Sequence, residues 1–155
     1  MSTWSEFESA EPAFAARVRH LFDAGRHKTI ATLRVDGSPR ISGIECEFVA
    51  GELRFGSMPG ARKGDDLSRD PRFALHGPTF HPEAGDESNW PGEAKVAGRA
   101  ITAGATSPNG DVSGEGESFV ADITEVVVTS LSADAKRLVV ESWSPERGFR
   151  RIERD

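Results

Sequence analysis

The apolar pattern of the chain has a helical period once, near the start, and then runs mostly at a period of two. Over residues 12–24, Phe14, Val18, Leu21 and Phe22 fall on one face, which predicts a helix packed on a core. Pro12 stands where a first-turn proline is tolerated, and Gly25 supplies a stop. Residues 29–35 alternate, with Ala31, Leu33 and Val35 on one side and Thr32 and Arg34 on the other, as a strand does. Asp36-Gly37 is a two-residue hairpin signal. A second strand follows over 39–49, where Ile44, Cys46 and Phe48 oppose Glu45 and Glu47. Ala50-Gly51 turns the chain into a third strand, 52–57, with Leu53 and Phe55 inward. These three strands are expected to form a meander.

After a Gly/Pro break, residues 62–69 predict a short helix of little intrinsic stability, stopped at Asp70-Pro71. Further strands are predicted over 73–76, 94–103, 117–130, 138–143 and 148–154, with the Val126-Val127-Val128 run well buried. Residues 77–93 and 104–116 have loop composition and are candidates for a site wall or a partner surface. Residues 1–10 are expected to be a mobile lead-in. Many short strands beside few helices predict a mainly β, antiparallel barrel or sandwich, and 155 residues suit one domain.

Composition narrows the partners. A net charge of -6, with no basic run longer than a pair such as Arg150-Arg151, argues against nucleic acid. No stretch approaches the roughly 20 apolar residues of a membrane-spanning helix. The acidic start MSTWSEFESAE lacks the apolar centre of a signal peptide. The single cysteine, Cys46, allows no intramolecular disulfide, so a cytoplasmic setting is expected. Its phase with Ile44 and Phe48 reads as a buried thiol.

Candidate chemistry concentrates between Ser57 and Lys63. A hydroxyl at a strand end, the Arg62 guanidinium, the Lys63 ammonium and the free amides of a helix start together suit a phosphate. A solvated basic pair on a surface turn accounts for the same residues, and the pattern alone leaves both readings open. His20, His27, His76 and His81 form no tight pair at helical spacing and read as surface or site-lining residues, His81 being a candidate pocket liner. Asp65-Asp66 with Asp70 reads as a solvated helix face. The glycine-rich run from residue 110 to 118 lacks the strand-to-helix context of a phosphate loop and reads as a flexible loop.

The stretch from Gly37 to Leu75 resembles the pyridoxamine 5'-phosphate oxidase-like FMN-binding split-barrel family. The resemblance rests on Gly37-x-Pro39, Gly51-x-Leu53-x-Phe55, Ser57, Arg62-Lys63, Leu67 and Asp70-Pro71-Arg72, together with WPGEAKVAGRA at 90–100 and ESW at 141–143. It implies an antiparallel split β-barrel of six to eight strands with flanking short helices. It implies FMN, with the phosphate on Ser57, Arg62 and Lys63 and the backbone of Ser42, Gly43 and Ile44 along the isoalloxazine ring. It further implies a homodimer with the cofactor between subunits, the partner contributing Trp143 and Arg154. Plain core packing accounts for Trp143 equally well.

Two departures bear on substrate. The authentic oxidase closes with an Arg-x-His-x-Arg segment. Here, with one inserted residue, Arg150-Arg151-Ile152-Glu153-Arg154 places Ile152 at the histidine. Glu45, Cys46 and Glu47 stand where the flavin-facing strand of that enzyme carries a lysine. The expectation is therefore a flavin-dependent oxidoreductase acting on a small molecule other than a phosphorylated B6 vitamer. No catalytic acid or base is implied, because the flavin does the redox chemistry. Two alternatives stand beside it: an F420-dependent reductase on the same fold, with Arg99 or Arg34 serving the acidic tail, and a non-enzymatic flavin- or haem-binding barrel.

Overall fold

The strand expected over residues 39–49 is broken at Glu45 into two, and this break organises the fold. The computed structural model describes residues 1–104 and 116–155. Its elements are helices α1 (Trp4–Ala10) and α2 (Pro12–Asp23), strands β1 (Lys28–Leu33), β2 (Pro39–Ile44), β3 (Cys46–Val49) and β4 (Glu52–Ser57), helix α3 (Arg62–Arg69), then β5 (Arg72–His76), β6 (Glu93–Gly104), β7 (Glu117–Leu131), β8 (Leu138–Ser144) and β9 (Gly148–Arg154). Of the loop expected over 104–116, residues 105–115, with most of the glycine-rich run, fall outside the described residues, and Gly104 ends β6.

All pairings are antiparallel, in the order β2-β1-β5-β6-β7-β4-β3. The two ends of that path, β2 and β3, are consecutive pieces of one strand. The path therefore returns on itself, giving a split barrel with α1, α2 and α3 against it. The expected meander is present in modified form: the middle strand pairs with β1 through its first half and with β4 through its second. The first residues of β7 pair with β4, and its far end pairs with β8, which carries β9. At Ala97/Gly98 the β6–β7 register slips by one residue. A side chain on Gly98 would lie against the Asp122 carbonyl, so glycine is required at this bulge.

The core fills the barrel as the alternation demands for Leu53, Phe55, Leu75, Val96, Phe119, Val126 and Val128. Phe14, Val18, Leu21 and Phe22 of α2 are buried as predicted. Val127 is only half-buried, because it points to the opposite face from its neighbours. β1 has the less obvious phase. Lys28, Ile30 and Thr32 are buried, Ala31 and Leu33 are half-buried, and Val35 lies beyond the strand in solvent. Hydrogen bonds make two polar residues acceptable inside: Lys28 Nζ donates to the Gly25 carbonyl at 2.7 Å, and Thr32 Oγ1 donates to Asp66 at 2.8 Å.

Residues 1–10 are not a mobile lead-in. Thr3 caps α1, its side chain accepting from the Glu6 N–H while the Glu6 carboxylate accepts from the Thr3 N–H. This reciprocal cap starts a helix too short to stand alone. What holds it is burial: Trp4 and Phe7 are 1% and 0% exposed, and the Phe7 ring meets Trp4, Phe14 and Trp143 with centroids 5.1, 5.8 and 4.8 Å away.

The Asp36-Gly37 hairpin is tighter in sequence than in space. The Gly37 N–H donates to the Arg34 carbonyl, and the Arg34 N–H to the Ser38 carbonyl, each at 2.9 Å. The loop is therefore three residues, 35–37, with Gly37 at φ +83° in the left-handed position that ends it. A Cβ at Gly37 would touch nothing within 4 Å. Gly37→Ala is expected to cost about 1 kcal/mol through backbone strain alone, read as a lowered urea midpoint with unchanged slope.

Candidate functional site

A groove of about 810 Å³ opens where the barrel strand breaks, within the usual size range of ligand sites. One wall is the segment from Gly43 to Glu47. The other is the end of β4, from Arg54 to Ser57, and the turn that follows it. Lys63 closes one end from α3, with Gly116, Glu117 and Ser118 beside it and His27 at the start of β1.

Each wall follows from its sequence. Pro59 and Gly60 make the turn after β4, with Gly60 at φ +72° and the Ala61 N–H on the Met58 carbonyl at 3.1 Å. The turn delivers the start of α3 beside the strand end. The N-cap of α3 is Ala61, which has no side-chain acceptor, so the first amides of the helix have no side-chain cap among the described residues. Ser57 is buried at the end of β4, its hydroxyl donating to the Met58 carbonyl at a long 3.3 Å. A Cβ on Gly43 would meet nothing within 4 Å, so the backbone there presents a flat, open face to the groove.

Of the expected cofactor residues, Gly43, Ile44, Ser57 and Lys63 come together in this groove. Ser42 is half-buried and stands one residue outside the lining. Arg62 lines a different cleft of about 410 Å³, with Arg34, Arg40 and Arg69. The reason is helical geometry: consecutive residues do not share a face, so Arg62 and Lys63 straddle α3. Trp143 sits in the core of its own chain, 6% exposed and against Phe7. Arg154 is exposed at the end of β9, opposite Leu138. Neither lines the groove of its own chain.

Asp66 is not on a solvated helix face. Its side chain is 3% exposed and accepts from Thr32 Oγ1 at 2.8 Å, Arg40 Nε at 2.7 Å and Arg69 at 3.2 Å. Burial alone would push its carboxyl up, but the bonds from Arg40, Thr32 and Arg69 outweigh it, and the net shift is downward. This buried carboxylate ties β1, β2 and α3 together beside the groove. Asp70 is half-buried and paired with Arg72 at 2.6 Å, which holds its carboxyl down at about 2.

Several groove residues carried no local sequence signal. His27, rather than His81, is the lining histidine. Cys46 faces the groove half-buried, and burial pushes its thiol up to about 11, so it is protonated and unreactive near neutral pH. Arg54 is neutralised by Glu52 at 2.6 Å, and Glu45 is paired with Arg26 at 3.0 Å. Among the described residues, Lys63 is the cation of the wall with no carboxylate partner, and Glu47 and Glu117 are the carboxylates with no cation partner.

No family model matches the chain, and neither does any curated protein sequence. Solved structures do. A pyridoxamine 5'-phosphate oxidase-related, FMN binding protein from Nostoc punctiforme PCC 73102 superposes with a TM-score of 0.65 at 11% identity, over 94% of this chain and 96% of that one. The chain has the pyridoxamine 5'-phosphate oxidase-like split-barrel fold. The same fold relates it to a heme binding protein from Mycobacterium smegmatis (TM-score 0.57, 17% identity, 84% of this chain and 57% of that one) and to a protein described as an F420 reductase (TM-score 0.51, 17% identity, 70% and 94%). Three differently described proteins share this one fold, so the fold alone does not fix the ligand.

Proposed function

We propose that the groove holds FMN and that the chain is a flavin-dependent oxidoreductase acting on a small molecule. The observation that carries this reading is the juxtaposition of the bare Gly43 backbone with Ser57, Lys63 and the uncapped start of α3 in one groove. A flat ring needs a wall without a side chain. A phosphate needs a cation and unpaired donors. The walls meet both needs from opposite ends. The description of the Nostoc neighbour as FMN binding agrees with this assignment.

A bound flavin supplies the electron or hydride transfer. The chain's own residues bind and orient. Lys63 and the first amides of α3 fix the phosphate end. Ser57 adds a hydroxyl donor. Gly43 and Ile44 bed the ring, and Cys46 stays a neutral thiol beside it. Arg62 is not part of this phosphate end, since it opens onto the other side of α3. We extend the proposal to a homodimer: Ile41 is 75% exposed beside Gly43 on the outward side of β2, where a second copy would cover it together with the groove mouth. Trp143 needs no ligand role, because its own core accounts for it.

The test is a visible absorption spectrum of the purified protein, followed by titration with FMN and with F420 and sedimentation of the loaded sample. FMN is expected to bind with quenched fluorescence, and Lys63→Ala to weaken it by roughly tenfold, the loss of one charge-assisted contact. Preferential binding of F420 would move the assignment to the deazaflavin reading. Binding of haem alone, with its own absorption band, would move it to a non-enzymatic carrier.

A further inference from the structure

The phosphate end of the groove contains a carboxylate that a phosphate site should avoid. Glu117 is the direct cross-strand partner of Ser57, so both side chains leave the sheet at the same point. Both run towards α3 at Gly64. A Cβ built on Gly64 would lie 2.6 Å from Glu117 Oε2 and 2.7 Å from Ser57 Oγ. The missing side chain of Gly64 is therefore the space that these two groups fill. Glycine inside a helix costs about 1 kcal/mol relative to alanine, and here it admits a carboxylate and a hydroxyl to the first turn. Glu117 Oε1 also accepts from Ser68 Oγ at 3.2 Å, one turn further along α3.

The charges around it do not cancel it. Arg54 on β4 is held by Glu52, and Arg62 on α3 opens onto the other cleft. Among the described residues Lys63 has no carboxylate partner, and it makes no ion pair with Glu117 although both line this end. One ammonium and one carboxylate thus share this end, where a phosphate dianion would want an excess of positive charge.

We propose that Glu117 is a specificity residue that sets the groove against dianionic groups, so that the chain discriminates little between a flavin with a phosphate and one without. This rests on the flavin reading of the groove and deepens it. A ligand phosphate must share the Ser57–Lys63 end with the Glu117 carboxylate, and the repulsion removes much of what Lys63 contributes. The ring, bedded at Gly43, is unaffected by it. Ser68 Oγ donates to the carboxylate and holds it on the flank of α3.

The experiment compares riboflavin and FMN binding to the wild type and to Glu117→Gln, with Ser68→Ala as a variant that keeps the charge. Glu117→Gln is expected to tighten FMN by about tenfold, the scale of one nearby charge in a partly screened site, and to leave riboflavin unchanged. Ser68→Ala is expected to leave the FMN-to-riboflavin ratio where it is. An unchanged ratio in Glu117→Gln overturns the proposal. A thermal-shift series with inorganic phosphate reads the same end without any ring. Stabilisation of Glu117→Gln but not of the wild type supports the Glu117 assignment even if neither protein binds a flavin, a result that would overturn the flavin reading alone. Equal response of both proteins to phosphate counts against Glu117.

Discussion

Phe7→Ala is expected to destabilise the protein by about 3 to 5 kcal/mol, the usual cost of emptying a fully buried phenylalanine site. The ring has no exposed surface and touches aromatic groups from three elements: Trp4 of α1, Phe14 of α2 and Trp143 of β8. Its loss leaves a cavity that these large rings cannot close by small movements. It also releases α1, whose seven residues are too few to persist without packing. Urea unfolding measures the loss, and the near-ultraviolet dichroism of Trp4 and Trp143 should weaken in the folded state as well. A cost below 1 kcal/mol would mean that α1 is not docked, returning residues 1–10 to the mobile segment that their composition suggests.

Asp66→Asn is expected to cost about 3 kcal/mol, near the lower end of what breaking a buried ion pair costs. Asparagine keeps the size but removes the charge that Arg40 and Arg69 face. Both arginines retain some exposure, 20% and 38% of their side chains, so water recovers part of the loss. Thr32→Val removes only the neutral partner of the same carboxylate and should cost about 1 kcal/mol. The pH dependence has a definite sign. The folded pKa of Asp66 is lowered, so its contribution is complete above the ordinary aspartate value of about 3.9 and is lost as the pH falls through the folded value. Stability measured between pH 5 and 8 should owe no slope to Asp66. Below pH 4 the wild type should lose stability faster than Asp66→Asn, and the two curves should converge.

The parts of this fold that were legible in the sequence are those bounded by strong local punctuation. Helix α3 lies between a Pro-Gly turn and Asp70-Pro71, β4 between Ala50-Gly51 and Met58-Pro59, and β9 between turns at Ser144-Pro145 and the chain end; each has the bounds its sequence predicts. Helix α1 did carry a signal, the Thr3-x-x-Glu6 capping box with Trp4 and Phe7 behind it, but the acidic composition around it masks the pattern. The break at Glu45 has no signature, because Ile44, Cys46 and Phe48 keep one alternation straight through it. The phase of β1 was hidden because the groups that make Lys28 and Thr32 acceptable inside come from elsewhere: a loop carbonyl in one case, Asp66 in the other.

At the candidate site, the Ser57–Lys63 end was half legible. Ser57 and Lys63 are near in sequence and line one groove, while Arg62, adjacent to Lys63, opens onto the cleft on the other side of α3. Glu117 could not have been found locally. It reaches Ser57 only through a strand pairing across 60 positions, from 57 to 117.

That pairing has a consequence for how the molecule assembles. Two hairpins, β1–β2 and β3–β4, form from neighbours in the chain and share the strand broken at Glu45. They become opposite sides of one barrel only when β7 arrives at β4, the step with the widest loop to close and hence the slowest contact to win by chance. The groove is incomplete before that step, because Glu117 and Ser118 at the start of β7 line the end beside Lys63. Any ligand of the groove therefore binds only the closed barrel and works as a clasp on its last joint. At a hundredfold excess over its Kd it would add about 2.7 kcal/mol to folding stability, and that gain should appear as slower opening of β7 from β4 in hydrogen exchange.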